Sequence, residues 1–341
     1  MRAVLLSVLP AVLVMSTFLA AAPAQAQVVL TASSWVPPTH ALSEVQKDWC
    51  AQLEQKTAGK AKCNILPRGV AAPPATFDAV RNGLADVSFT VHGYTPGRFV
   101  TTQIAEFPFL GDSAEAVSVA FQRTLARTPA MQDEHKGVKV LAVFTHGPGA
   151  VFNTQRAVIK AEHLGGLKWR VGGGVVNEIG KALGMNVTLK PSTENYELLS
   201  SGVLDGTLFP AESVEAFKID KVVRYGTTFP GGLYNTSFVF MMNPAKYDSL
   251  PADVKKVVDE LSGEAAARAF GRAWDKADRR GLAFMQASGV QISKADAAFV
   301  KVVADKTAPL IDAWAQAAQA KGMKDPKKAL AELRADIARL Q

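Results

Sequence analysis

Apolar and polar positions follow two alternating rhythms along the first part of the chain. A short alternating run indicates a strand, and apolar residues spaced three and four apart indicate a helix, here Leu42, Val45, Trp49 and Leu53 before Gly59. The resulting β-α-β-α-β series is typical of parallel strands joined by helical crossovers. The predicted elements are strands at 28–33, 61–66 and 85–91 and helices at 41–57 and 75–83.

A second series with the same rhythm runs from 167 to 209, after the break His146-Gly-Pro-Gly149. We therefore expect an α/β protein with two lobes and a ligand cleft between them. Residues 27–151 with 237–280 are expected to form lobe I, and 152–236 with 281–341 to form lobe II. The remaining predictions are strands at 138–144, 151–153 and 237–242, helices at 114–131 and 251–287, and a mostly helical end at 297–340.

The first 26 residues have the pattern of a cleavable secretory signal. Arg2 precedes an apolar stretch at 3–22, and Ala24-Gln-Ala26 offers small residues to a signal peptidase. No cysteine follows the apolar stretch, so no lipid anchor is expected. No later run has the ~18 apolar residues of a spanning helix. The mature chain is expected to work in the periplasm without inserting into the membrane.

The formal net charge of +7 is modest for a chain of 341 residues. Lysines and arginines lie along helix-like segments without interleaved aromatic residues, which argues against a nucleic-acid partner. The excess of positive charge suits either an anionic solute or simple solubility.

Two cysteines, Cys50 and Cys63, lie in a chain predicted to reach an oxidising compartment. A disulfide between the first helix and the next strand is expected, and a loop of this size could contribute ~3 kcal/mol. The alternative is two inert buried thiols. The spacing is not Cys-x-x-Cys, so it does not indicate redox chemistry.

Motifs for catalysis, metals and cofactors are missing from the sequence. The five histidines have no zinc-ligand spacing, no Gly-x-Ser-x-Gly elbow occurs, and neither Glu162 nor Asp205 has a second carboxylate at a fixed spacing. The run Gly172-Gly-Gly174 suggests a dinucleotide loop, but Asn177 occupies the position of the third glycine. The favoured interpretation is a tight strand-to-helix turn whose helix amino end stays open and could help hold an anion. We expect no enzyme activity, cofactor or metal.

Arg170 is the strongest candidate for ligand binding. Its charge stands at the end of an apolar strand, where strands of open α/β folds meet the ligand crevice. A buried guanidinium needs a partner, and a carboxylate suits its planar fork. The alternative is an ion pair within its own lobe. Eight further candidates follow predicted strands, with lobe packing, loop hydrogen bonding or solvation as their alternatives: Trp35, Arg68, His92, Tyr94, His146, Phe209, Tyr234 and Asn235.

Several segments, in order, resemble the DctP-type solute receptors of tripartite ATP-independent periplasmic (TRAP) transporters. The carriers of this resemblance are GLKWRV at 166–171, ALG at 182–184 and YELLSSGVLDG at 196–206, with TAG at 57–59, Pro67 and Gly69, GLAD at 83–86, FPFL at 107–110 and NPAKYDSLP at 243–251. The resemblance covers most of the chain after the signal.

This resemblance implies a two-lobe receptor that closes its cleft, with a long helix bridging both lobes. It also implies that Arg170 matches the arginine that clasps a carboxylate, and that a sodium-driven permease receives the solute. Many members carry a second arginine where this chain has Ala150, and an asparagine where it has Phe209. Losing a charge and an amide while gaining a ring favours an aromatic or apolar monocarboxylate. Arg68, His92 or His146 could replace the missing arginine, which keeps dicarboxylates and sugar acids open. Two hypotheses from outside transport are a secreted hydrolase and a binding protein that serves a sensor.

Overall fold

The computed structural model describes residues 27–341, and the predicted signal at 1–26 lies outside the described residues. The strands are β1 (Val28–Ala32), β2 (Ala61–Ile65), β3 (Val87–Val91), β4 (Lys139–Thr145), β5 (Ala150–Asn153), β6 (Lys168–Val171), β7 (Asn186–Leu189), β8 (Gly206–Phe209), β9 (Tyr225–Thr228), β10 (Ser237–Met242) and β11 (Gln291–Lys294). The helices are α1 (Ala41–Lys56), α2 (Thr76–Arg81), α3 (Ala114–Arg127), α4 (Pro129–Asp133), α5 (Val175–Ala182), α6 (Asn195–Ser200), α7 (Ala211–Ala216), α8 (Pro244–Asp248), α9 (Ala252–Glu260), α10 (Glu264–Ala287), α11 (Ala297–Ala320) and α12 (Pro326–Leu340).

The strands form two separate sheets, which confirms the predicted α/β fold with two lobes. Lobe I contains the order β2-β1-β3-β10-β4, and lobe II contains β11-β9-β5-β8-β6-β7. The strands of each β-α-β series pair in parallel, as β1 does with β2 and β3, and β6 with β7 and β8. Their carboxyl ends therefore face the same side of each sheet.

Two strands run against this direction because the chain has just crossed between the lobes. The first crossing leads from β4 into β5, and the return crossing leads from β9 into β10; both arriving strands pair antiparallel with their neighbours. The crossings also pair with each other, since the Gly149 amide donates to the Tyr234 carbonyl at 2.9 Å and the Leu233 amide donates to the Gly149 carbonyl at 2.9 Å. His146 and Tyr234 thus lie in the segments that join the lobes.

Helix α10 bridges the lobes, and at 24 residues it is about 36 Å long. It packs on α3 of lobe I at Gly271 and on α7 of lobe II at Gly281. A side chain at Gly271 would meet the backbone of Glu115 at 2.4 Å, and one at Gly281 would meet the Ala211 carbonyl at 2.5 Å. The glycines therefore allow both close approaches.

The long helix predicted at 251–287 is two helices, α9 and α10. The break lies at Gly263, which has a φ of 64° and donates its amide to the Leu141 carbonyl at 2.6 Å. The helix predicted at 114–131 also divides, because Pro129 lacks the amide that α3 would need to continue.

Helix α12 does not follow the expected assignment of 281–341 to lobe II. Its apolar stripe, with Leu333 and Ile337, packs on α3 beside the lobe I sheet, where Arg127 also pairs with Asp336 at 2.8 Å. Helix α12 is amphipathic. Burying its apolar stripe against α3 lowers the free energy of the folded protein more than leaving the stripe exposed to water beside lobe II. Strand β5 likewise starts at Ala150, two residues inside the range expected for lobe I.

The expected disulfide is present between Cys50 of α1 and Cys63 of β2, with the two Cα atoms 5.6 Å apart. It joins the first helix to the edge strand of the lobe I sheet. Across residues 27–341, none of the helices is long and apolar enough to cross a membrane.

Candidate ligand cavity between the lobes

A small cavity lies between the two lobes and is lined by residues of both. The carboxyl ends of β1, β3, β6 and β8, the two crossing segments and α10 bound it. Six of the nine predicted site residues line this cavity: Trp35, Tyr94, His146, Arg170, Phe209 and Tyr234.

Arg170 is buried at the end of β6, with 3% of its surface exposed. Its Nε donates to the Lys190 carbonyl at 2.7 Å, which holds the guanidinium in place. The two terminal nitrogens make only long contacts, at 3.5 Å from the Leu208 carbonyl and 3.5 Å from the Tyr94 hydroxyl. Within the described part of the chain, no carboxylate oxygen lies within 4.0 Å of it. The terminal fork is therefore available to an anion.

The hydroxyl of Tyr94 connects the lobes beside this fork. Tyr94 follows β3 in lobe I, and its oxygen accepts from the Ser192 amide of lobe II at 3.0 Å as well as from Arg170 at 3.5 Å. Because the oxygen accepts twice, its own hydrogen is left to donate into the cavity. Tyr94 therefore combines a contact that closes the lobes with a donor suited to a carboxylate.

Aromatic rings form much of the rest of the cavity wall. Phe209 stacks on Phe217 with ring centroids 5.6 Å apart, and Trp35 meets Tyr94 edge-on at 5.8 Å. Burial raises the pKa of Tyr234 above its ordinary value, so its hydroxyl keeps its proton. Such a wall favours a ligand with a flat apolar body.

His146 lies at the start of the first crossing segment. Burial lowers the pKa of His146 to about 4; the Gly147 carbonyl opposes this shift, and the positive charge of Arg170 lowers the pKa further by a smaller amount. The imidazole is therefore neutral at neutral pH. It cannot supply the positive charge of the second arginine that the resemblance associates with the position of Ala150.

Two buried carboxyl groups lie behind the cavity and join lobe II to the bridging helix. The Glu212 amide of α7 donates to Asp278 of α10 at 2.8 Å, and the Ser213 hydroxyl donates to the Glu212 carboxyl at 3.0 Å. Burial, reinforced by Asp278, raises the pKa of Glu212 to about 8. Burial raises the pKa of Asp278 to about 7. Both carboxyl groups therefore stay protonated up to a pH well above the usual carboxyl pKa.

His92 does not line the cavity, although it follows a strand as His146 does. Its Nδ1 lies 2.9 Å from the Ser237 hydroxyl and its Nε2 lies 2.8 Å from His135. Ser237 in turn donates to Glu106. Both ring nitrogens are thus used inside lobe I, and the interpretation as a local hydrogen-bonding residue holds for His92.

Residues of lobe I pack closely against the glycine loop at 172–174. A side chain on Gly173 would meet the Gly93 carbonyl at 2.2 Å, and Glu106 accepts from the Val175 amide at 2.8 Å. The amino end of α5 is therefore capped by Glu106, and the expectation that it stands open to an anion is wrong. The loop serves lobe contact.

Two further candidates also lie away from the cavity. Arg68 is exposed in the loop after β2. Asn235 is buried, and turning its amide so that the nitrogen faces acceptors lets it donate to the Gly147 carbonyl at 3.0 Å. Both belong to loops at strand ends, but neither side chain reaches the cavity.

Sequence reasoning missed several residues that line the cavity, namely His40, Ser192, Phe217, Phe238 and Trp274. His40 had a usable signal, because it lies in the loop after β1 as Trp35 does. No sequence signal indicated Trp274, because its position at the cavity depends on how α10 packs against the two lobes. In residues 27–341, no cluster of three or more His, Cys, Asp or Glu side chains could hold a metal ion.

Comparison with known proteins agrees with this geometry. A solute-binding protein of a TRAP transporter from Bordetella bronchiseptica, solved with bound (R)- and (S)-mandelate, is 41% identical, with a TM-score of 0.89 over 92% of this chain and 100% of that one. A marine metagenome TRAP protein in complex with 3-hydroxybenzoate is 31% identical, with a TM-score of 0.87 over 92% and 99%. A third, from Rhodoferax ferrireducens with benzoate, is 28% identical, with a TM-score of 0.86 over 92% and 98%.

The two-lobed fold with a cavity between its lobes is that of a solute-binding protein of a transporter. The family of bacterial extracellular solute-binding proteins, family 7 (DctP), matches residues 32–317, and the chain belongs to this family. The resemblance drawn from the sequence is confirmed. The chain is a DctP-type solute-binding protein of the TRAP class and not an enzyme.

Proposed function

We propose that this protein captures an aromatic monocarboxylate between its lobes and delivers it to a sodium-coupled TRAP permease. The protein acts in the periplasm after removal of residues 1–26. Arg170 clasps the carboxylate, and Trp35, Tyr94, Phe209 and Tyr234 enclose the aromatic body.

The observation that carries this proposal is the buried Arg170 guanidinium, which has no carboxylate partner among residues 27–341. Burying an isolated charge is costly, and the Phe209 ring and one backbone carbonyl compensate it only in part. A ligand carboxylate at the terminal fork supplies the missing charge, and the surrounding low dielectric strengthens that contact.

The choice of an aromatic acid rests on the wall and on the absence of a second cation. His146 is neutral, Arg68 is exposed, and His92 is engaged within lobe I. Among the described residues that line the cavity, Arg170 is the single lysine or arginine. Three solved relatives hold mandelate, benzoate or 3-hydroxybenzoate, each an acid with one carboxylate and one ring.

A thermal-shift screen followed by titration calorimetry tests the ligand class. Benzoate, mandelate and 3-hydroxybenzoate are compared with succinate and glucuronate on the mature chain. We expect a rise in melting temperature with the aromatic acids alone, because only a ligand that binds the folded state stabilises it. Selective stabilisation by succinate or glucuronate would instead support the dicarboxylate or sugar-acid alternative.

Delivery to the permease needs a separate experiment. The protein loaded with a radiolabelled acid is added to proteoliposomes that contain the small and large membrane subunits of a TRAP permease. Uptake that requires both the receptor and an inward sodium gradient supports delivery. Recovery of a chemically altered acid would support the hydrolase hypothesis, since a receptor returns its ligand unchanged.

A further inference from the structure

One ring nitrogen of His146 is hydrogen-bonded, and the other has no hydrogen-bond partner within residues 27–341. Its Nδ1 lies 2.5 Å from the Gly147 carbonyl, and a carbonyl can only accept, so Nδ1 carries the ring hydrogen. The neutral ring then has a bare Nε2 with a lone pair. The ring itself is buried, with 3% of its surface exposed.

Nε2 finds no hydrogen-bond partner among the described residues. The rings packed around it are aromatic, with Tyr234 edge-on at 5.2 Å and Trp274 at 5.9 Å between centroids. The charged group nearby is Arg170, whose effect on the ring opposes protonation. Leaving a buried acceptor without a donor is costly, so a donor on a bound ligand would stabilise this atom.

Trp274 offers a donor where His146 offers an acceptor. Its indole Nε1–H is a buried donor without a partner in the described chain, and its ring lines the cavity beside His146. A hydroxyl group can both donate and accept, so its chemistry suits either side chain. A plain hydrocarbon ring satisfies neither.

We infer that His146 selects hydroxylated aromatic acids, with its Nε2 accepting a hydrogen bond from a hydroxyl on the ligand while Arg170 holds the carboxylate. This inference rests on the proposed function and adds a second polar contact to it. His146 is thus a specificity determinant for a neutral group and does not replace a cation.

Two ligand pairs that differ by one hydroxyl test the inference: mandelate against phenylacetate, and 3-hydroxybenzoate against benzoate. In titration calorimetry on the mature chain, we expect the hydroxylated member of at least one pair to bind about ten-fold tighter, because the acceptor is otherwise left unpaired. The variant His146→Phe keeps a ring without an acceptor. It should reduce that preference to less than about three-fold, mainly by weakening the hydroxylated acid.

Two further variants provide controls. His146→Gln carries an amide oxygen on a side chain of similar reach and should recover part of the preference. His163→Phe changes a histidine that lies outside the cavity lining and should leave both affinities unchanged. If His146→Phe does not fold, ¹⁵N spectra of the wild-type ring still decide: the Nε2 resonance should shift with the hydroxylated acid and not with its partner.

The possible failures are distinguishable. If none of the four acids binds, the proposed function is wrong. If the wild-type protein binds both members of each pair equally, the proposed function stands and the role of His146 is overturned. An equal loss for both members in His146→Phe, or an Nε2 resonance that does not respond to the hydroxyl, also overturns it.

Discussion

The guanidinium carbon of Arg170 lies 4.8 Å from the centre of the Phe209 ring. The two side chains come from neighbouring strands of lobe II, since β6 pairs with β8 at Arg170 and Thr207. A buried cation–π contact contributes about 2 kcal/mol, which is less than the cost of burying an unpaired charge. Phe209 therefore orients the guanidinium, and the charge remains available to a bound anion.

Replacing Arg170 should abolish binding while the fold survives. For Arg170→Ala we expect an affinity loss of about 100-fold or more, because the ligand carboxylate would be buried without a countercharge. The free protein should unfold at a similar or higher urea concentration, since the variant removes a buried charge that lacks a partner. Calorimetry with benzoate and urea unfolding measure the two effects.

The matched control is Arg68→Ala, which removes an exposed arginine from a comparable strand-end loop. Its affinity should stay within about three-fold of the wild type, as expected for a solvated charge. If Arg68→Ala weakens binding as much as Arg170→Ala, the carboxylate site has been assigned to the wrong arginine.

Tyr94→Phe should shorten the lifetime of the complex. The change removes the oxygen that accepts from Ser192 across the lobes at 3.0 Å and contacts Arg170 at 3.5 Å. We expect about ten-fold weaker affinity, because a buried amide loses its acceptor and the ligand loses a donor. Most of the change should appear in the dissociation rate, measured by stopped-flow displacement.

Tyr247→Phe deletes the same atom from a partly exposed tyrosine whose hydroxyl donates to Asp259 at 2.7 Å, far from the cavity. It should not alter the dissociation rate. Equal effects of the two variants would argue against a role of Tyr94 in lobe closure.

Local sequence patterns were sufficient to predict most of the fold, and six of the nine candidate residues line the cavity between the lobes. The carboxyl ends of parallel strands lie at one edge of a sheet, where ligands bind. This rule alone indicated Trp35, Tyr94, Arg170 and Phe209 as candidates. The rule fails where distant partners intervene. His92 and His146 occupy similar loops, but Ser237 and His135 engage both nitrogens of His92.

Local sequence patterns also carry no information on how the helices pack against the two lobes. Trp274 reaches the cavity because Gly271 and Gly281 let α10 approach both lobes closely. The separate helix α9 arises from a long-range contact, the bond from the Gly263 amide to Leu141. Neither relationship leaves a periodic signal in the sequence.

Stability should fall as the solution becomes alkaline. Burial raises the pKa of Glu106 to about 7, of Asp278 to about 7 and of Glu212 to about 8. The folded protein therefore holds protons that the unfolded chain has already released. The stabilising effect is complete below the unfolded pKa of about 4.5 and is lost as pH rises through the folded values.

The buried histidines, His40, His92, His135 and His146, act in the opposite sense. Burial lowers their pKa, so their contribution is present above the ordinary value of 6.5 and is lost as pH falls through the folded values. Between pH 7 and 9 the carboxyl groups dominate. We expect a net loss of about 1–2 kcal/mol in the free energy of unfolding across that interval.

Urea unfolding at pH 7, 8 and 9 measures this loss, and Glu212→Gln isolates its largest component. The variant cannot release the proton, so its decline should be smaller by about 1 kcal/mol. A wild-type stability that rises between pH 7 and 9 would contradict protonated buried carboxyls.

Ala150 and Phe209 face each other as directly paired residues of β5 and β8. These are the two positions where the sequence departs from the arginine and asparagine expected from the family resemblance. Because opposed residues of an antiparallel pair share one sheet face, the departures act at one place. The double variant Ala150→Arg/Phe209→Asn should weaken benzoate binding by about 30-fold or more, since the ring wall is lost and a second charge is added.

The same variant should gain affinity for succinate, whose second carboxylate can pair with the new guanidinium. The free protein should lose about 2–4 kcal/mol of stability, because two neighbouring buried cations then lack partners, and succinate should restore much of it. Ala150→Met/Phe209→Asn is the matched control, with similar bulk and no charge. Calorimetry with both acids, together with urea unfolding, separates charge from volume. A double variant that still prefers benzoate would show that these two positions do not set the class of acid.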